Sequence, residues 1–303
     1  MLMTKKTSTG EKMNINTIIE TYVKVDDFFQ SLTKLNIPSY PLRKRKSKSR
    51  LNLSEKVCIS LLYHLSGFNC FKNFYNYEIL QNRKDCFPDA VKYNTFIEYQ
   101  DEISYYLYIF LHKLTKKKGG LINFVDSTSL RVCHPKRIHQ HKVFKGLASR
   151  GHTSLGFFYG FKLHLIINET GDIAGFSLTK GNIDDRKGLK TINSILYGNL
   201  YGDKGYISKD LEDFYQRVGV NYKTKKRKNM KRKTPFIDKF FLRKRGLIET
   251  VIGQIKDMAN LNYTKHRSLK GFLRNILSVL VAYQLKKRKP KMKWNLPLLE
   301  QGC

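Results

Sequence analysis

The feature that most constrains the fold of this chain is a strict alternation of apolar side chains in residues 156–168. A period of two places every second side chain on one face of an extended strand, so this segment predicts a β-strand. The four residues 169–172 that follow contain a glycine, which is typical of a hairpin leading to a further strand at about 172–179. The fold must therefore contain a β-sheet. The alternating residues are Phe157, Tyr159, Phe161, Leu163, Leu165 and Ile167.

Shorter strand patterns lie on both sides of this segment, and helical patterns separate the later ones. The resulting order, β-β-β-α-β-α-β, is the one shared by ribonuclease-H-like nucleases and integrases. It predicts an α/β (α+β) fold with a mixed five-stranded sheet flanked by helices. In that arrangement the first strand is central and the fourth lies beside it. The other predicted strands are 121–126, a strand that ends at Asp203, and 220–224. One predicted helix begins after Asp184 or Asp185 and ends at Gly198, and a second begins after Ser208 and ends at Gly219.

The charge of the chain indicates its partner. There are 57 basic and 24 acidic residues, a formal net charge of +33, which exceeds what solubility requires and predicts binding to nucleic acid. No apolar run of about 18 residues could span a bilayer, and no signal-peptide pattern is visible, so we expect no membrane partner. Five cysteines without a Cys-x-x-Cys pair indicate neither a disulfide framework nor a zinc ribbon. We expect a cytoplasmic, nucleoid-associated protein.

The residues before the sheet predict a separate helical domain. Apolar residues recur at the helical period from Ile15 to Leu35, and further helical patterns continue to residue 115. We predict an all-helical, DNA-binding N-terminal domain at 12–115, a catalytic domain at 120–290 and a basic, irregular tail at 291–303. A helix at about 269–285 is expected to pack on the catalytic core.

Three carboxylates are candidates for one metal site. Asp126 and Asp203 follow apolar strand patterns, and Glu249 lies in an apolar-periodic helical stretch, Leu242–Met258. Converging carboxylates repel one another unless cations lie between them, and oxygen ligands favour Mg²⁺. Two such ions, about 3.5–4 Å apart, stabilise the attacking and leaving oxygens of an in-line displacement at phosphorus. Each acid alone could instead cap a turn, form an Asx-turn or pair with Arg245 on a helix.

Cations flank the glutamate at helical spacing. Arg245, Glu249 and Lys256 stand at positions i, i+4 and i+11, so they project from one side of a helix, where a DNA backbone could lie. With the Gly-Asp-Lys-Gly-Tyr turn and the Val-Asp-Ser strand, this pattern resembles the insertion-sequence DDE transposases and, within them, the insertion-sequence 982 family. The likeness runs through most of residues 120–285. It includes Asp126–Thr128, His141–Ala148, Phe158–His164, Gly181–Arg186, Gly202–Tyr206 and Arg243–Thr250.

The resemblance implies that Asp126, Asp203 and Glu249 form a catalytic, metal-binding triad and that Arg245 and Lys256 are its flanking basic residues. Related transposases often carry tyrosine where this chain has Leu242. The implied reaction is metal-dependent cleavage at the ends of a mobile element, which leaves a 3′-hydroxyl, followed by its transfer to target DNA. The implied cofactor is Mg²⁺, as two ions, with Mn²⁺ as a substitute. The implied partners are double-stranded DNA, as terminal inverted repeats and target, and a second copy of the chain.

Further basic residues are predicted to contact DNA. The loop that holds Lys142 and Lys145 also contains Cys133, His134, His139 and His141, whose spacing matches no closed zinc site, so we favour DNA contacts there. A run of eight cations in residues 223–233 and the basic linker at 43–50 are typical of phosphate-binding segments. His164 lies on the more polar face of its predicted strand and could be a core histidine or a group that supports the metal ligands; we favour the core histidine. The remaining predicted DNA-binding residues are Lys204, Lys226, Arg227 and Lys228.

Two alternatives remain open on the sequence. A non-catalytic, transposase-derived DNA-binding protein would keep the charge without needing the three acids. A ribonuclease-H-like nuclease without strand transfer would keep the acids as well.

Overall fold

A computed structural model describes residues 13–41, 49–154, 156–226, 234–261 and 266–294. Within these ranges no helix is both long and apolar enough to cross a membrane. The helices are α1 (Ile15–Lys34), α2 (Leu53–Leu65), α3 (Phe71–Phe74), α4 (Tyr93–Glu98), α5 (Gln100–Thr115), α6 (Asp185–Lys190), α7 (Lys209–Arg217), α8 (Phe236–Lys244), α9 (Gly246–Ala259) and α10 (Leu269–Gln284). The strands are β1 (Ile122–Cys133), β2 (Ser149–Thr153), β3 (Gly156–Asn168), β4 (Ile173–Lys180), β5 (Asn199–Gly202) and β6 (Asn221–Thr224). A π-helical segment (Tyr75–Asn82) and two 3-10 turns (Pro135–Arg137 and Lys204–Tyr206) complete the described elements.

The chain divides into two compact units, Met1–Lys113 with Ile255–Leu285 and Leu114–Gln254 with Lys286–Cys303. The first unit is helical, as predicted for the N-terminal region. Within it α10 packs against α2, where His64 Nε2 and Ser278 Oγ are 2.7 Å apart. The helix that was expected to pack on the catalytic core therefore groups with the helices of the first unit. The functional domain boundaries at 12–115, 120–290 and 291–303 stay a prediction.

The second unit contains a mixed sheet in the order β2-β3-β1-β5-β6, with β4 also paired to β3. The alternating segment forms β3, which pairs antiparallel with β1, β2 and β4. The predicted α/β fold, a ribonuclease-H-like mixed sheet flanked by helices, is confirmed. The described sheet has six strands instead of five, since the polar segment Ser149–Thr153 pairs with the first half of β3.

Strand β1 is longer than predicted. It continues to Cys133, so Asp126 lies inside the strand and not at its end. Its parallel neighbour β5 pairs only with Ile122–Phe124 and ends at Gly202. Continuation of this register places Asp203 beside Asp126, just past the end of β5. Because β5 ends at Gly202, Asp203 follows the last residue of that strand and lies beside Asp126 of β1.

The two faces of the sheet are covered by different helices. On one face Val125 and Leu200 share a buried core with Leu189 of α6 and Leu211 of α7. On the other face Tyr201 packs against Phe241 of α8, with ring centroids 5.5 Å apart, and donates a hydrogen bond to the buried Asp238 at 3.0 Å. These contacts anchor α8, and with it the segment that leads to Arg245 and Glu249.

Two predicted helices have different limits in the structure. The helix predicted as far as Gly198 ends at Lys190, and its N-cap is Asp184, whose side chain accepts a hydrogen bond from the Arg186 amide. The single helix predicted over Leu242–Met258 is divided into α8 and α9, with Arg245 at the junction.

Candidate active site

Three elements of the second unit bring the predicted acids together. Asp126 is delivered by the middle of β1, Asp203 by the end of β5, and Glu249 by the first turn of α9. Asp203 precedes the 3-10 turn Lys204–Tyr206, but its side chain makes no capping hydrogen bond. Its carboxylate is thus available for other partners.

The guanidinium of Arg245 contacts all three acids. Its Nη1 atom is 3.1 Å from Asp126 Oδ2, and its Nη2 atom is 3.0 Å from Glu249 Oε1 and 3.9 Å from Asp203 Oδ2. One cation therefore balances part of the charge of three carboxylates that come from separate elements. The acids differ in exposure, since the side chains of Asp126, Asp203 and Glu249 are 24%, 45% and 60% exposed.

Asp126 has the most perturbed environment of the three. Burial raises its pKa to about 6, and the negative charges of Glu249 and Asp203 act in the same direction. The Ser127 amide, which donates to Asp126 Oδ1 at 2.8 Å, and the Arg245 guanidinium oppose this rise in pKa. A buried carboxyl with a pKa near neutrality, next to two further carboxylates, is typical of a functional site.

The donor chemistry of this cluster fits a hard divalent cation. Three carboxylates supply the oxygen ligands that Mg²⁺ and Mn²⁺ accept, and their grouping around one guanidinium shows that the position attracts positive charge. Among the described residues no three histidine, cysteine, aspartate or glutamate side chains are arranged as a ready metal site. Asp126, Asp203 and Glu249 are the residues that would hold a metal here.

The predicted DNA-binding residues differ in exposure and position. Lys142, Lys145 and Lys204 are exposed, and Lys204 directly follows Asp203. Lys226 is partly buried, whereas Arg227 and Lys228 lie outside the described residues. Lys256 follows Glu249 by seven positions on α9, in the part of that helix that groups with the helical unit.

Two of the four residues considered for zinc, and the strand histidine His164, have other contacts. His134 caps the 3-10 turn by accepting a hydrogen bond from the Lys136 amide, and His141 stacks on Phe144 with ring centroids 5.5 Å apart. His164 is fully buried, with Nε2 2.8 Å from Thr179 Oγ1, and burial lowers its pKa to about 4. The expectation of a core histidine is borne out at this position.

Sequence reasoning missed three residues beside Asp126. Ser127, Lys162 and Asp185 form a hydrogen-bonded group on the face of the sheet that α6 covers. The sequence predicted Asp184 or Asp185 as the cap of this helix, and the structure assigns the cap to Asp184, which leaves Asp185 for other contacts. The available signal was Lys162, a cation in the middle of a strand whose other residues are mostly apolar.

Two carboxylates from neighbouring strands of a mixed sheet and a third from α9, brought together in a strongly basic chain, fit the pattern of a DDE domain. In agreement, residues 116–269 match the model of the transposase DDE domain family. The match spans half of the chain and includes Asp126, Asp203 and Glu249. The chain belongs to this family, whose members generally use divalent metals and bind DNA, and this supports a transposase function. No curated protein matches the sequence.

Proposed function

We propose that the chain is an insertion-sequence transposase, of the kind found in the insertion-sequence 982 family, that cleaves at element ends and joins the freed 3′-hydroxyl to target DNA. The observation that carries the proposal is the convergence of Asp126, Asp203 and Glu249 on one guanidinium. This arrangement concentrates negative charge at an edge of a chain with a net charge of +33. Such a combination suits a site that must hold both cations and a phosphodiester.

The three acids have distinct tasks in this proposal. Asp126, the most buried, fixes the ligand position on the rigid central strand, whereas Asp203 and Glu249 contribute the more exposed oxygens that face DNA. Bound Mg²⁺, for which Mn²⁺ can substitute, would supply the positive charge that stabilises the attacking and leaving oxygens at phosphorus.

The basic residues position the DNA backbone. Arg245 contacts all three acids, which supports its assignment to the phosphate that reacts. Lys204, Lys142 and Lys145 are exposed and are assigned to phosphates farther along the duplex, as are Lys226, Arg227, Lys228 and Lys256. Contacts of this type fix the position of DNA without reading its sequence.

Strand transfer needs no further chemical group. Exchange of one phosphodiester for another requires no external energy source, and the freed 3′-hydroxyl can occupy the position that water held in the first step. Joining two ends to one target implies that at least two copies of the chain act together.

The test is incubation of the full chain with labelled DNA that carries the ends of its element, in Mg²⁺, Mn²⁺ or EDTA. We expect metal-dependent nicked products that end in a 3′-hydroxyl, and joined products in which the labelled strand is attached to target DNA. Scrambled end sequences serve as the control and should give neither product.

The two alternatives predict different product patterns. Nicks without joined products, at every metal concentration, would indicate a ribonuclease-H-like nuclease. End binding with neither product would indicate a non-catalytic DNA-binding protein.

A further inference from the structure

Asp185 stands at the start of α6 without capping it. The neighbouring Asp184 accepts hydrogen bonds from the amide and the guanidinium of Arg186, at 2.9 and 2.8 Å, and so performs the capping. Asp185 Oδ1 instead accepts hydrogen bonds from Ser127 Oγ at 2.9 Å and Lys162 Nζ at 3.0 Å. The carboxylate is thus turned toward the sheet.

Lys162 is held in the same position from a second side. Its ammonium group also donates to the Ile183 carbonyl at 2.9 Å, in the segment that leads into α6. The Lys162 side chain is 13% exposed and that of Asp185 is 32% exposed, so the ion pair is more shielded from water than a surface pair. Hydrogen bonds between ionised groups in such surroundings are shorter and stronger than neutral ones.

Ser127 connects this pair to Asp126. Successive side chains of a strand point to opposite faces, so Asp126 faces α8 and α9 while Ser127 faces α6. The register of the sheet agrees, because Ser127 lies opposite the buried His164 of β3. The Ser127 amide donates to Asp126 Oδ1 at 2.8 Å. One residue therefore holds the candidate metal ligand through its backbone and the ion pair through its hydroxyl.

The surroundings of this group leave it little freedom. A Cβ at Gly188 of α6 would lie 2.2 Å from the His164 ring, so α6 approaches the sheet as closely as its backbone allows. Tyr206 is buried on the same face, and its pKa is raised by burial and, to a smaller extent, by the charges of Asp126 and Asp185. Movement of Ser127 would have to displace α6 or this tyrosine.

We propose that the Lys162–Asp185 ion pair positions Asp126 for metal binding by fixing Ser127 from the opposite face of the sheet. Asp185 and Lys162 act as positioning residues, since Asp185 contacts Ser127, and Lys162 contacts Asp185, on the face of the sheet opposite Asp126. The inference rests on the proposed role of Asp126 as a metal ligand. Replacement of a residue that orients a metal ligand, without binding the metal itself, commonly changes metal affinity by tenfold or more.

The most selective variants are at Ser127. Ser127→Val and Ser127→Thr add similar bulk, but only threonine keeps the hydroxyl that donates to Asp185. The measurement is Mn²⁺ binding to the full chain by titration calorimetry, with thermal unfolding in EDTA to verify folding. We expect Ser127→Val to weaken Mn²⁺ binding roughly tenfold, and Ser127→Thr to restore most of the loss.

The ion pair is tested separately. Asp185→Ala should weaken Mn²⁺ binding by a similar factor, and the double variant with Ser127→Val should lose no more than either alone, because both changes interrupt one connection. Asp185→Asn keeps an acceptor oxygen for Ser127 but not the charge, so its loss should be smaller. Asp184→Asn is the matched control, which keeps the cap and should bind Mn²⁺ like the wild type.

Three results would contradict the positioning role or the metal site. If Asp126→Asn abolishes binding but Ser127→Val binds Mn²⁺ as tightly as Ser127→Thr, the positioning role is overturned while the proposed site stands. If Asp184→Asn weakens binding as much as Asp185→Ala, the effect belongs to the start of α6 and not to the connection, and the positioning role is again overturned. If Mn²⁺ binding is the same in Asp126→Asn as in the wild type, the proposed metal site itself fails.

Discussion

At the scale of single residues, the three acids are not equivalent. Asp126, in the middle of β1, is largely buried and contacts Arg245, whereas Glu249 is mostly exposed at the first turn of α9. Desolvation disfavours the charged form of a carboxyl, so ionisation of Asp126 in the folded chain lowers the free energy of unfolding. A bound cation would relieve that cost, which gives this residue a measurable dependence on pH.

The pKa of Asp126 predicts the direction of that dependence. Between its ordinary value of 3.8 and about 6, the unfolded chain has released this proton while the folded chain retains it. The folded form therefore binds more protons, and its stability falls as the pH rises. Relative to Asp126→Asn in metal-free buffer, the wild type should lose on the order of 3 kcal/mol across this range. Denaturant unfolding at a series of pH values measures the difference, and a difference that is constant with pH would contradict the prediction.

Arg245 competes with any cation for the same carboxylates. Its removal in Arg245→Gln should strengthen Mn²⁺ binding by about fivefold, the equivalent of an ion-pair contribution of about 1 kcal/mol, while activity on DNA falls. Titration calorimetry measures the affinity, and Arg243→Gln, an exposed residue two positions earlier, is the charge-matched control. Weaker Mn²⁺ binding in Arg245→Gln alone would show that the guanidinium supports the site and does not compete for it.

At the scale of elements, the alternating apolar residues of β3 were sufficient to predict the strand, although the structure buries both of its faces over most of its length and leaves Phe157 exposed. The end of β1 could not be predicted in this way. Residues after Asp126 continue in an extended conformation because β3 pairs with them, whereas access to Asp126 depends on where β5 stops. Strand β2 was not predicted for the same reason, because the polar residues of Ser149–Thr153 form a strand only by pairing with β3.

The candidate site was predictable to the extent that its residues carry a local pattern. Asp203 and Glu249 stand in motifs that can be read along the chain. The group formed by Ser127, Lys162 and Asp185 is separated by up to 58 positions, so only the folded sheet brings it together. The partner of α10 was likewise beyond local patterns, because an apolar helix face indicates burial without indicating against which element.

The close approach of α6 to β3 is a prediction at this scale. Gly188→Ala should destabilise the fold by about 1–3 kcal/mol, because the added methyl group meets the rigid ring of His164. Gly253→Ala, in α9, is the matched control: apart from its chain neighbours and its own helix backbone, no described atom lies within 4 Å of its added Cβ, so it should stabilise the helix by about 0.5–1 kcal/mol. Denaturant midpoints measure both, and equal effects of the two substitutions would refute the contact.

At the scale of the whole molecule, the net charge of +33 makes DNA affinity a sum over many phosphates. The sequence prediction that residues 12–115 and the basic linker hold much of the affinity for element ends is better tested by substitution than by truncation. Removal of residues before 120 would also remove α2, against which α10 packs. Most of the linker, residues 42–48, lies outside the described residues.

Neutralising the linker should therefore weaken end binding selectively. The variant is glutamine at Lys44, Arg45, Lys46 and Lys48, and its control is glutamine at four exposed lysines elsewhere, Lys84, Lys187, Lys209 and Lys239. Loss of each phosphate contact lowers the salt dependence of binding by about one unit of slope. Affinity measured over a range of salt concentrations should show the larger reduction in slope for the linker variant. Equal slopes for both variants would mean that only total charge matters.

The central claim is that Asp126, Asp203 and Glu249 together form one metal-dependent site for phosphodiester chemistry. The most direct measurement compares alanine variants of the three acids with Asp184→Asn, in nicking and joining of labelled end DNA with Mg²⁺ or Mn²⁺. Each alanine variant should lose both products yet retain DNA binding, because it removes negative charge from a basic protein, and Asp184→Asn should behave as the wild type. Nicking that survives in folded Asp203→Ala but disappears in folded Asp184→Asn would contradict the account.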